Sequence, residues 1–304
     1  MNTNTNTNTN TNTNTNTNTY TNTNTNTNVC SPTMHLKKTC FTFKQLKNIA
    51  TSINKLENRV VVRQRGKNAI WNNINSYFSV NMNCHNRDEV CWMKQPLLNN
   101  LRNDLNKQFI PEKPNDWKHN ERTWLTNIDI YNVCDQYERK YRSFDFIGVF
   151  PIDYNYKNTV NQCIVQELCM LNIRNIMKNK KTQLGIVFNL DKHYEPGSHW
   201  VGVYVGLNPK TQHYGFFYFD SNAVKPPKEI YILFENIKLQ IMQIHKKNFE
   251  LHFNDVQKQF KNTECGMFSI YFILSCLKKK KWIDIKNEGV FDDDVFKLRN
   301  LLFR

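Results

Sequence analysis

The feature that most constrains the fold is a nearly unbroken apolar segment at residues 267–274. A helix that is apolar on every side is stable only when other elements cover it, so we expect this segment to be a buried central helix. The chain has 304 residues, which is ample length for a core around such a helix. No apolar run reaches the roughly 18–20 residues that span a bilayer, so we expect a soluble protein without membrane contact.

A cysteine lies directly before this segment and is followed by glycine. At the first turn of a helix, the helix dipole favours the thiolate form of a residue such as Cys265. Gln259 lies six residues upstream, where its side-chain amide can turn toward whatever group the thiolate attacks. Residues 259–266 are therefore a candidate nucleophile with a candidate hydrogen-bond donor beside it.

A candidate base and an orienting carboxylate flank a predicted hairpin. Residues 200–205 and 214–219 are apolar segments that we expect to pair as antiparallel strands. His199 begins the first strand and Asp220 ends the second, and a hairpin places these two ends side by side. Asp220 can then accept a hydrogen bond from one imidazole nitrogen while the other nitrogen faces the thiol.

Together these residues predict a thiol hydrolase. Cys265 supplies the nucleophile, His199 the base and Asp220 the orienting group. The backbone N–H of Cys265 and the side chain of Gln259 supply the two donors that would bind an oxyanion.

Each of these residues also has a purely structural interpretation. A histidine beside Trp200 on a strand is more often packed or exposed than catalytic. Asp220 can cap a turn, and a cysteine in an apolar helix is more often a core residue. The ordered set of histidine, aspartate, glutamine and, six residues later, Cys-Gly is far more specific than any one member.

These residues resemble the ubiquitin-like-protein protease superfamily, which includes the SUMO proteases and the adenovirus protease. The sequence is most similar to the SUMO-protease-like core cysteine proteases of large cytoplasmic DNA viruses, of the asfarvirus and giant-virus kind. The resemblance covers residues 120–304, with a fainter likeness to the viral branch from residue 33. The matching residues are Trp124-Leu125 and residues 146–153, 197–201, 218–221, 259–266 and 294–304.

The resemblance implies that His199 is the catalytic histidine, Cys265 the nucleophile and Gln259 the oxyanion glutamine. Asp220 occupies a position that is Asp in cellular members and can be Asn in viral ones. Trp200 resembles the tryptophan that walls a narrow tunnel over the substrate. Such a tunnel admits Gly-Gly because any Cβ would clash with its aromatic sides.

From the resemblance we expect a cysteine endopeptidase that cleaves after Gly-Gly-type motifs and processes viral structural polyproteins during particle maturation. We expect it to act as a monomer without cofactor or metal, in the virion and at the assembly site in the host cytoplasm. Two alternatives stay open. One is a deconjugase that removes a ubiquitin-like modifier, and the other is a non-enzymatic basic nucleic-acid-binding or scaffold protein.

We expect an α+β fold of the papain-like, SUMO-protease type, in which helices flank a mixed central sheet. Residues 120–304 form the predicted protease domain, and residues 33–119 form a small helical region with helices expected at 43–56, 69–78 and 92–105. Residues 1–32 are a predicted disordered tail. Its Asn-Thr alternation over residues 2–28 can bury too little apolar surface to offset the entropy of ordering. The N-terminus also lacks a basic region followed by an apolar stretch, so we expect no secretory signal peptide.

The net charge of +15 raises the question of polyanion binding. Basic runs occur at residues 178–181 and 278–281, and the second directly follows the apolar helix. A basic helix end that complements the dipole and stays solvated is the favoured interpretation, with weak contact to DNA or another polyanion as a secondary property.

The nine cysteines include no C-x-x-C pair, which favours a reducing compartment and buried reduced thiols. Cys84-His85 with Cys91 is the nearest approach to a zinc-binding pattern. Because a second pair of ligands is missing from the pattern, we expect no metal there.

Overall fold

The computed structural model describes residues 29–34, 38–63 and 65–304. The predicted tail therefore lies outside the described residues except at residues 29–32. The backbone N–H of Ile110 donates to the carbonyl oxygen of Val29 at 2.9 Å, and the Cys30 side chain is only 3% exposed. Residues 29–32 are accordingly reassigned from the tail to the helical region.

The described part of the helical region contains the helices α1 Phe43–Leu56, α2 Lys67–Asn81, α3 Glu89–Lys94 and α4 Arg102–Asn106. Helix α1 begins with a capping box, since the Thr42 hydroxyl accepts from the Gln45 N–H and the Gln45 side chain accepts from the Thr42 N–H. The single helix expected over residues 92–105 is wrong. Proline lacks an N–H, and Pro96 begins a 3-10 helix that separates α3 from α4.

The rest of the chain is built on a five-stranded sheet in the order β1-β2-β3-β4-β5. Strands β1 and β2 are parallel, β2, β3 and β4 are antiparallel, and β4 and β5 are parallel. The predicted mixed sheet and the predicted hairpin of β3 and β4 are both confirmed. The strands are β1 Phe144–Pro151, β2 Gln183–Asn189, β3 Trp200–Gly206, β4 Gly215–Phe219 and β5 Leu251–Phe253.

Helices cover both faces of this sheet, as the α+β prediction requires. On one face lie α5 and α9, with α10 and α11 packed beyond them; on the other lie α6, α7 and α8. Their bounds are α5 Asn127–Lys140, α6 Gln166–Cys169, α7 Ile173–Lys178, α8 Lys228–Met242, α9 Cys265–Leu277, α10 Trp282–Asn287 and α11 Asp292–Leu302.

Strand β3 shows why the sheet must be covered on both sides. Trp200 and Tyr204 point to the face that holds α9, whereas Val201, Val203 and Val205 point to the face that holds α8. Every residue of β3 is buried. A strand with two buried faces has a continuous apolar sequence rather than an alternating one, which is the pattern of this segment.

Helix α9 is the central helix predicted from residues 267–274. It is buried along its whole length except at Tyr271, which is partly exposed. The helix approaches β3 most closely at Gly202, where an added Cβ would lie 2.9 Å from Phe272 Cδ1 and 3.4 Å from the Ser269 carbonyl oxygen. Within the described residues, no helix combines the length and the apolar character needed to cross a membrane.

The C-terminus links the helical region to the sheet-containing region. The backbone of Arg304 pairs with the chain around residues 111–113, and its guanidinium donates to the Ile110 carbonyl oxygen at 3.1 Å. Nearby, the Gln136 amide of α5 donates to the Phe109 carbonyl oxygen at 2.6 Å. The helical region therefore packs against the end of the chain and against α5.

The expectation of reduced thiols is wrong for six of the nine cysteines. Disulfides join Cys30 to Cys40, Cys84 to Cys91 and Cys163 to Cys169, while Cys134, Cys265 and Cys276 are free and buried. The paired residues have Cα atoms 5.0 to 6.5 Å apart, a separation that a disulfide can bridge and that spacing in the sequence does not reveal.

The disulfides also bear on metal binding. Cys84 and Cys91, the two cysteines nearest to a zinc-binding pattern, are bonded to each other through their sulfur atoms. Among the described residues, Cys30, Cys40 and Glu89 place potential ligand atoms within 4.8 Å of one another, but the two sulfur atoms are again bonded together. The disulfide-bonded form of this cluster offers no thiolate ligand.

The contact between α9 and β3 predicts that Gly202→Ala destabilises the protein. The new methyl group would overlap the Phe272 ring and force it to shift, at a cost of about 1–3 kcal/mol in the free energy of unfolding. Urea denaturation of the purified protein measures this cost. Gly289→Ala is the matched control, because its Cβ would meet Phe291 at an ordinary 3.7 Å. Equal stability of the two variants would contradict this account of the helix–sheet contact.

Candidate active site

The hairpin brings His199 and Asp220 together at one edge of the sheet. His199 directly precedes β3 and Asp220 directly follows β4, and the register pairs Gly202 with Phe219. His199 Nε2 lies 2.7 Å from Asp220 Oδ1. The two residues therefore lie side by side, as the predicted hairpin led us to expect.

Asp220 is fully buried and is held from two sides. Its Oδ1 atom also accepts from the backbone N–H of Asn222 at 2.8 Å, so the residue caps a turn as well as contacting the imidazole. On the other side, Asn254 Oδ1 accepts from the Asp220 N–H at 2.9 Å and Asn254 Nδ2 donates to the Asp220 carbonyl oxygen at 2.7 Å. The asparagine thus anchors the Asp220 backbone, while the Asn222 N–H and the His199 imidazole contact the carboxylate.

Cys265 is the first residue of α9, and its side chain is only 1% exposed. It is one of the groups that raise the pKa of His199, so the imidazole interacts with both Asp220 and the thiol. Because the first N–H groups of a helix have no partner within the helix, the Cys265 N–H is a donor that a ligand can use.

The electrostatics of His199 favour its charged form. Burial by itself lowers the pKa of the imidazole, but the hydrogen bonds and negative charges of Asp220 and Cys265 outweigh burial and raise the pKa to about 9. At neutral pH the imidazolium is therefore favoured, and it places a positive charge beside Cys265. This pairing of groups suits nucleophilic attack followed by proton donation.

Gln259 belongs to the same cluster through Ser221. The Ser221 hydroxyl donates to Gln259 Oε1 at 2.7 Å, and the Ser221 carbonyl oxygen accepts from the Gln259 N–H at 3.0 Å. Gln259 Nε2 donates to the Lys261 carbonyl oxygen at 2.6 Å. An amide nitrogen carries two hydrogens, so the second remains to meet a ligand.

An open cleft of about 370 Å³ leads to these groups. Trp124, which is 39% exposed, and the more exposed Phe260 give it aromatic sides. The other described residues that line it are Ser198, His199, Asn222, Gln257, Gln259, Lys261 and Asn262.

Trp200, expected to wall the substrate tunnel, lies in the core beside the cleft. Its indole N–H donates to the Leu125 carbonyl oxygen at 2.9 Å. Its ring also faces Gly266, where an added Cβ would lie 3.3 Å from Trp200 Cδ1. The ring thus packs against the first turn of α9, next to Cys265, and its role as a substrate wall stays a prediction.

Three residues of this site were not predicted to have a role in it. Trp124 and Ser221 appear in the sequence analysis only within the segments that match the family. Asn254 follows β5, which runs parallel to β4, so the residues after both strands reach the same edge of the sheet. That pairing could have identified Asn254, but a three-residue strand is hard to align from sequence.

The raised pKa of His199 gives a pH-dependent prediction. An NMR titration of the His199 ring should show a midpoint near pH 9, with the charged form present below it and lost above it. In Asp220→Asn the stabilising negative charge is gone, so the midpoint should fall by about 1–2 pH units.

Asp255→Asn is the matched control for this titration, because Asp255 is an exposed carboxylate on the neighbouring loop that pairs with Lys286. It should leave the His199 midpoint unchanged. A midpoint near the ordinary histidine value of about 6.5 in the unaltered protein, or an equal effect of both substitutions, would contradict the assigned contact.

Comparisons with known proteins show what this chain is similar to. Residues 171–290 match the Ulp1 protease family, C-terminal catalytic domain. A protein of Acanthamoeba polyphaga mimivirus that bears the name of a thiol protease is 29% identical over 228 residues, 71% of this chain and 69% of the relative. A cysteine protease of African swine fever virus is 26% identical over 208 residues, 66% of this chain and 75% of the viral protein.

The crystal structure of an African swine fever virus protease superposes on 91% of this chain and 95% of its own chain, with a TM-score of 0.64 and 19% identity. That likeness shows a shared fold. The sequence relatives and the family match confirm the resemblance to the SUMO-protease superfamily and to its viral members. The chain is therefore a cysteine peptidase that is similar to the SUMO proteases and to their viral relatives.

Proposed function

We propose that the chain cleaves peptide bonds after Gly-Gly or Ala-Gly type motifs in viral structural polyproteins during particle maturation. The observation that carries this proposal is the position of the thiol. Cys265 is 1% exposed and lies beside a cleft with aromatic sides. A scissile carbonyl can approach so enclosed a sulfur most readily when the residue that bears it has no side chain.

The proposed first step is acylation of Cys265. The thiolate Sγ attacks the scissile carbonyl carbon, and the carbonyl oxygen becomes an oxyanion. When the C–N bond breaks, the His199 imidazolium gives its proton to the departing amine, which leaves a thioester on Cys265. The contact between His199 and Asp220 keeps the imidazole turned toward the reacting atoms during this transfer.

Two donors are proposed to stabilise the oxyanion. One is the backbone N–H of Cys265 at the start of α9, and the other is the second hydrogen of Gln259 Nε2. The hydrogen bond from Ser221 to Gln259 Oε1 supports this role, because it fixes the amide plane before substrate arrives. Donors that are already oriented stabilise the developing charge without reorganisation.

Deacylation reverses these roles. Neutral His199 takes a proton from water, the resulting hydroxide attacks the thioester carbonyl, and the C–S bond breaks. The products are a free carboxylic acid and the regenerated thiolate–imidazolium pair. The exposed edge of the cleft at Asn222 and Gln257 is a route by which water reaches the thioester.

The proposed substrates and location follow from the viral relatives. Two of them are a mimivirus protein and a protein of African swine fever virus. We accordingly propose action on structural polyproteins in the virion and at a cytoplasmic assembly site, by a monomer. Weak contact between the basic surface and DNA or another polyanion is a further part of this proposal, which the net charge of +15 supports.

Cys265→Ala should abolish cleavage of a Gly-Gly-X peptide while leaving the fold intact. Loss of the nucleophile is expected to lower kcat by about 10⁴-fold or more. Chromatography of the cleavage products measures the rate, and thermal unfolding checks the fold. Cys276→Ala is the matched control, because it removes a second buried free thiol from the same helix. Turnover retained by Cys265→Ala, or lost equally in Cys276→Ala, would contradict the assignment.

A second candidate is a deconjugase that removes a ubiquitin-like modifier. One relative from African swine fever virus is named a SUMO-1 cysteine protease, which favours testing it. The same enzyme preparation separates the two candidates, since a deconjugase should cleave SUMO or ubiquitin fusions much faster than short Gly-Gly-X peptides. The non-enzymatic scaffold alternative is set aside because the chain is a cysteine peptidase.

A further inference from the structure

An arginine on the last helix lies behind the proposed nucleophile. Arg299 of α11 is buried, with a side chain that is 2% exposed. Its Nε and Nη2 atoms each lie 3.0 Å from Glu264 Oε2. Nη1 donates to the carbonyl oxygens of Thr123 at 2.8 Å and Glu121 at 3.1 Å, and Nη2 donates to that of Thr263 at 3.2 Å. Four of these contacts are hydrogen bonds, and the fifth, between Nη2 and Glu264, is an ion pair, so every nitrogen of the guanidinium has a partner.

Two of the partners of Arg299 directly precede parts of the site. Thr123 precedes Trp124, the aromatic side of the cleft. Glu264 precedes Cys265 and occupies the N-cap position of α9. One planar group on α11 thus joins the cleft side and the nucleophile turn, so the separation of these two segments depends on the contacts of Arg299.

Glu264 explains why the Arg299 side chain must be positively charged. Its carboxylate is fully buried and adjoins Cys265 in the chain, where an unbalanced negative charge would oppose a thiolate. Arg122 is the other cation at this carboxylate, but its Nη1 is 3.5 Å from Glu264 Oε1. It is also partly exposed and pairs with Asp293 at 2.7 Å. Arg299 is therefore the principal counter-charge.

The charges that face the thiol come from two sides. His199 and Asp220 lie on the hairpin side, and Glu264 with Arg299 lies on the α11 side. Burial lowers the pKa of Arg299, while the negative charges of Glu264 and Cys265 act in the opposite direction.

We propose that Arg299 is a positioning residue of the thiol site, which fixes the nucleophile turn against the cleft side and neutralises Glu264 beside Cys265. This inference rests on the proposed role of Cys265 as the nucleophile. Arg299 acts through its contacts with Thr123 and Glu264. The guanidinium carbon also lies 4.6 Å from the centre of the Trp117 ring, which shows that Arg299 contributes to packing, and the experiment must separate the two effects.

The test measures the rate of Cys265 alkylation by iodoacetamide against pH, together with kcat and KM for a Gly-Gly-X peptide. In Arg299→Met the Glu264 carboxylate loses its principal counter-charge, which should move the alkylation midpoint upward by about 1 pH unit. Arg299→Lys keeps the charge but has three donors instead of five. It should keep the midpoint within about 0.3 pH units and lower kcat by about tenfold or more, because small displacements of reacting groups are costly.

Arg304→Met is the matched control. Arg304 is also a largely buried arginine at the C-terminus, and its guanidinium contacts Ile110 and Glu112, away from the thiol. Its variant should unfold at a lower temperature with an unchanged alkylation midpoint and kcat. If Arg304→Met reproduces the losses seen in the Arg299 variants, those losses report general destabilisation and the proposal is overturned.

If the Arg299 variants do not fold, the variant Glu264→Gln tests the electrostatic role instead. The amide preserves the shape and the contact with Arg299 but removes the negative charge beside Cys265, so the alkylation midpoint should move downward. An unchanged midpoint in this variant would overturn the electrostatic role. Wild-type kcat in folded Arg299→Lys would overturn the positioning role.

The alkylation readout needs no substrate. Failure of the Gly-Gly-X peptide to be cleaved by the unaltered protein would therefore count against the proposed function alone. The proposal for Arg299 would then be decided by the alkylation midpoints.

Discussion

The packing of α9 against β3 is the contact on which the rest of the site depends. The helix is apolar almost throughout, and Gly202 lets it lie directly on the central strand. Its first residue, Cys265, is consequently held at the edge of the sheet from which His199 and Asp220 emerge. The burial of apolar side chains thus sets the position of the thiol, because Cys265 belongs to the buried helix and not to a loop.

Polar contacts then fix directions within this apolar frame. Asn254 holds the backbone of Asp220, Ser221 holds the side chain of Gln259, and Arg299 holds Glu264. Buried hydrogen bonds contribute only about 0.5–1.5 kcal/mol each to stability, but a buried polar group without its partner is costly. The arrangement around the site is therefore well defined, as catalysis by preoriented groups requires.

The sequence was most informative where the apolar pattern and the ends of paired strands determine which residues lie together. The hairpin predicted from residues 200–219 placed His199 beside Asp220, and the apolar run identified α9. Contacts between segments that are far apart in the sequence were not predictable, because no local sequence pattern indicates which segments lie side by side in the fold. Asn254 and Arg299 are examples, and so are the three disulfides, since bridging depends on the distance between Cα atoms. Pro96 could have been predicted to break the helix expected over residues 92–105.

The central claim is that Cys265 is a nucleophile selective for acyl groups that end in glycine. It is tested most directly with a peptide probe that ends in Gly-Gly linked to a thiol-reactive vinyl group, followed by mass spectrometry of the digested protein. The account predicts one adduct, on Cys265, with Cys134 and Cys276 unmodified and with little labelling by a matched Ala-Ala probe. Absence of the adduct, or equal labelling by both probes, would contradict it.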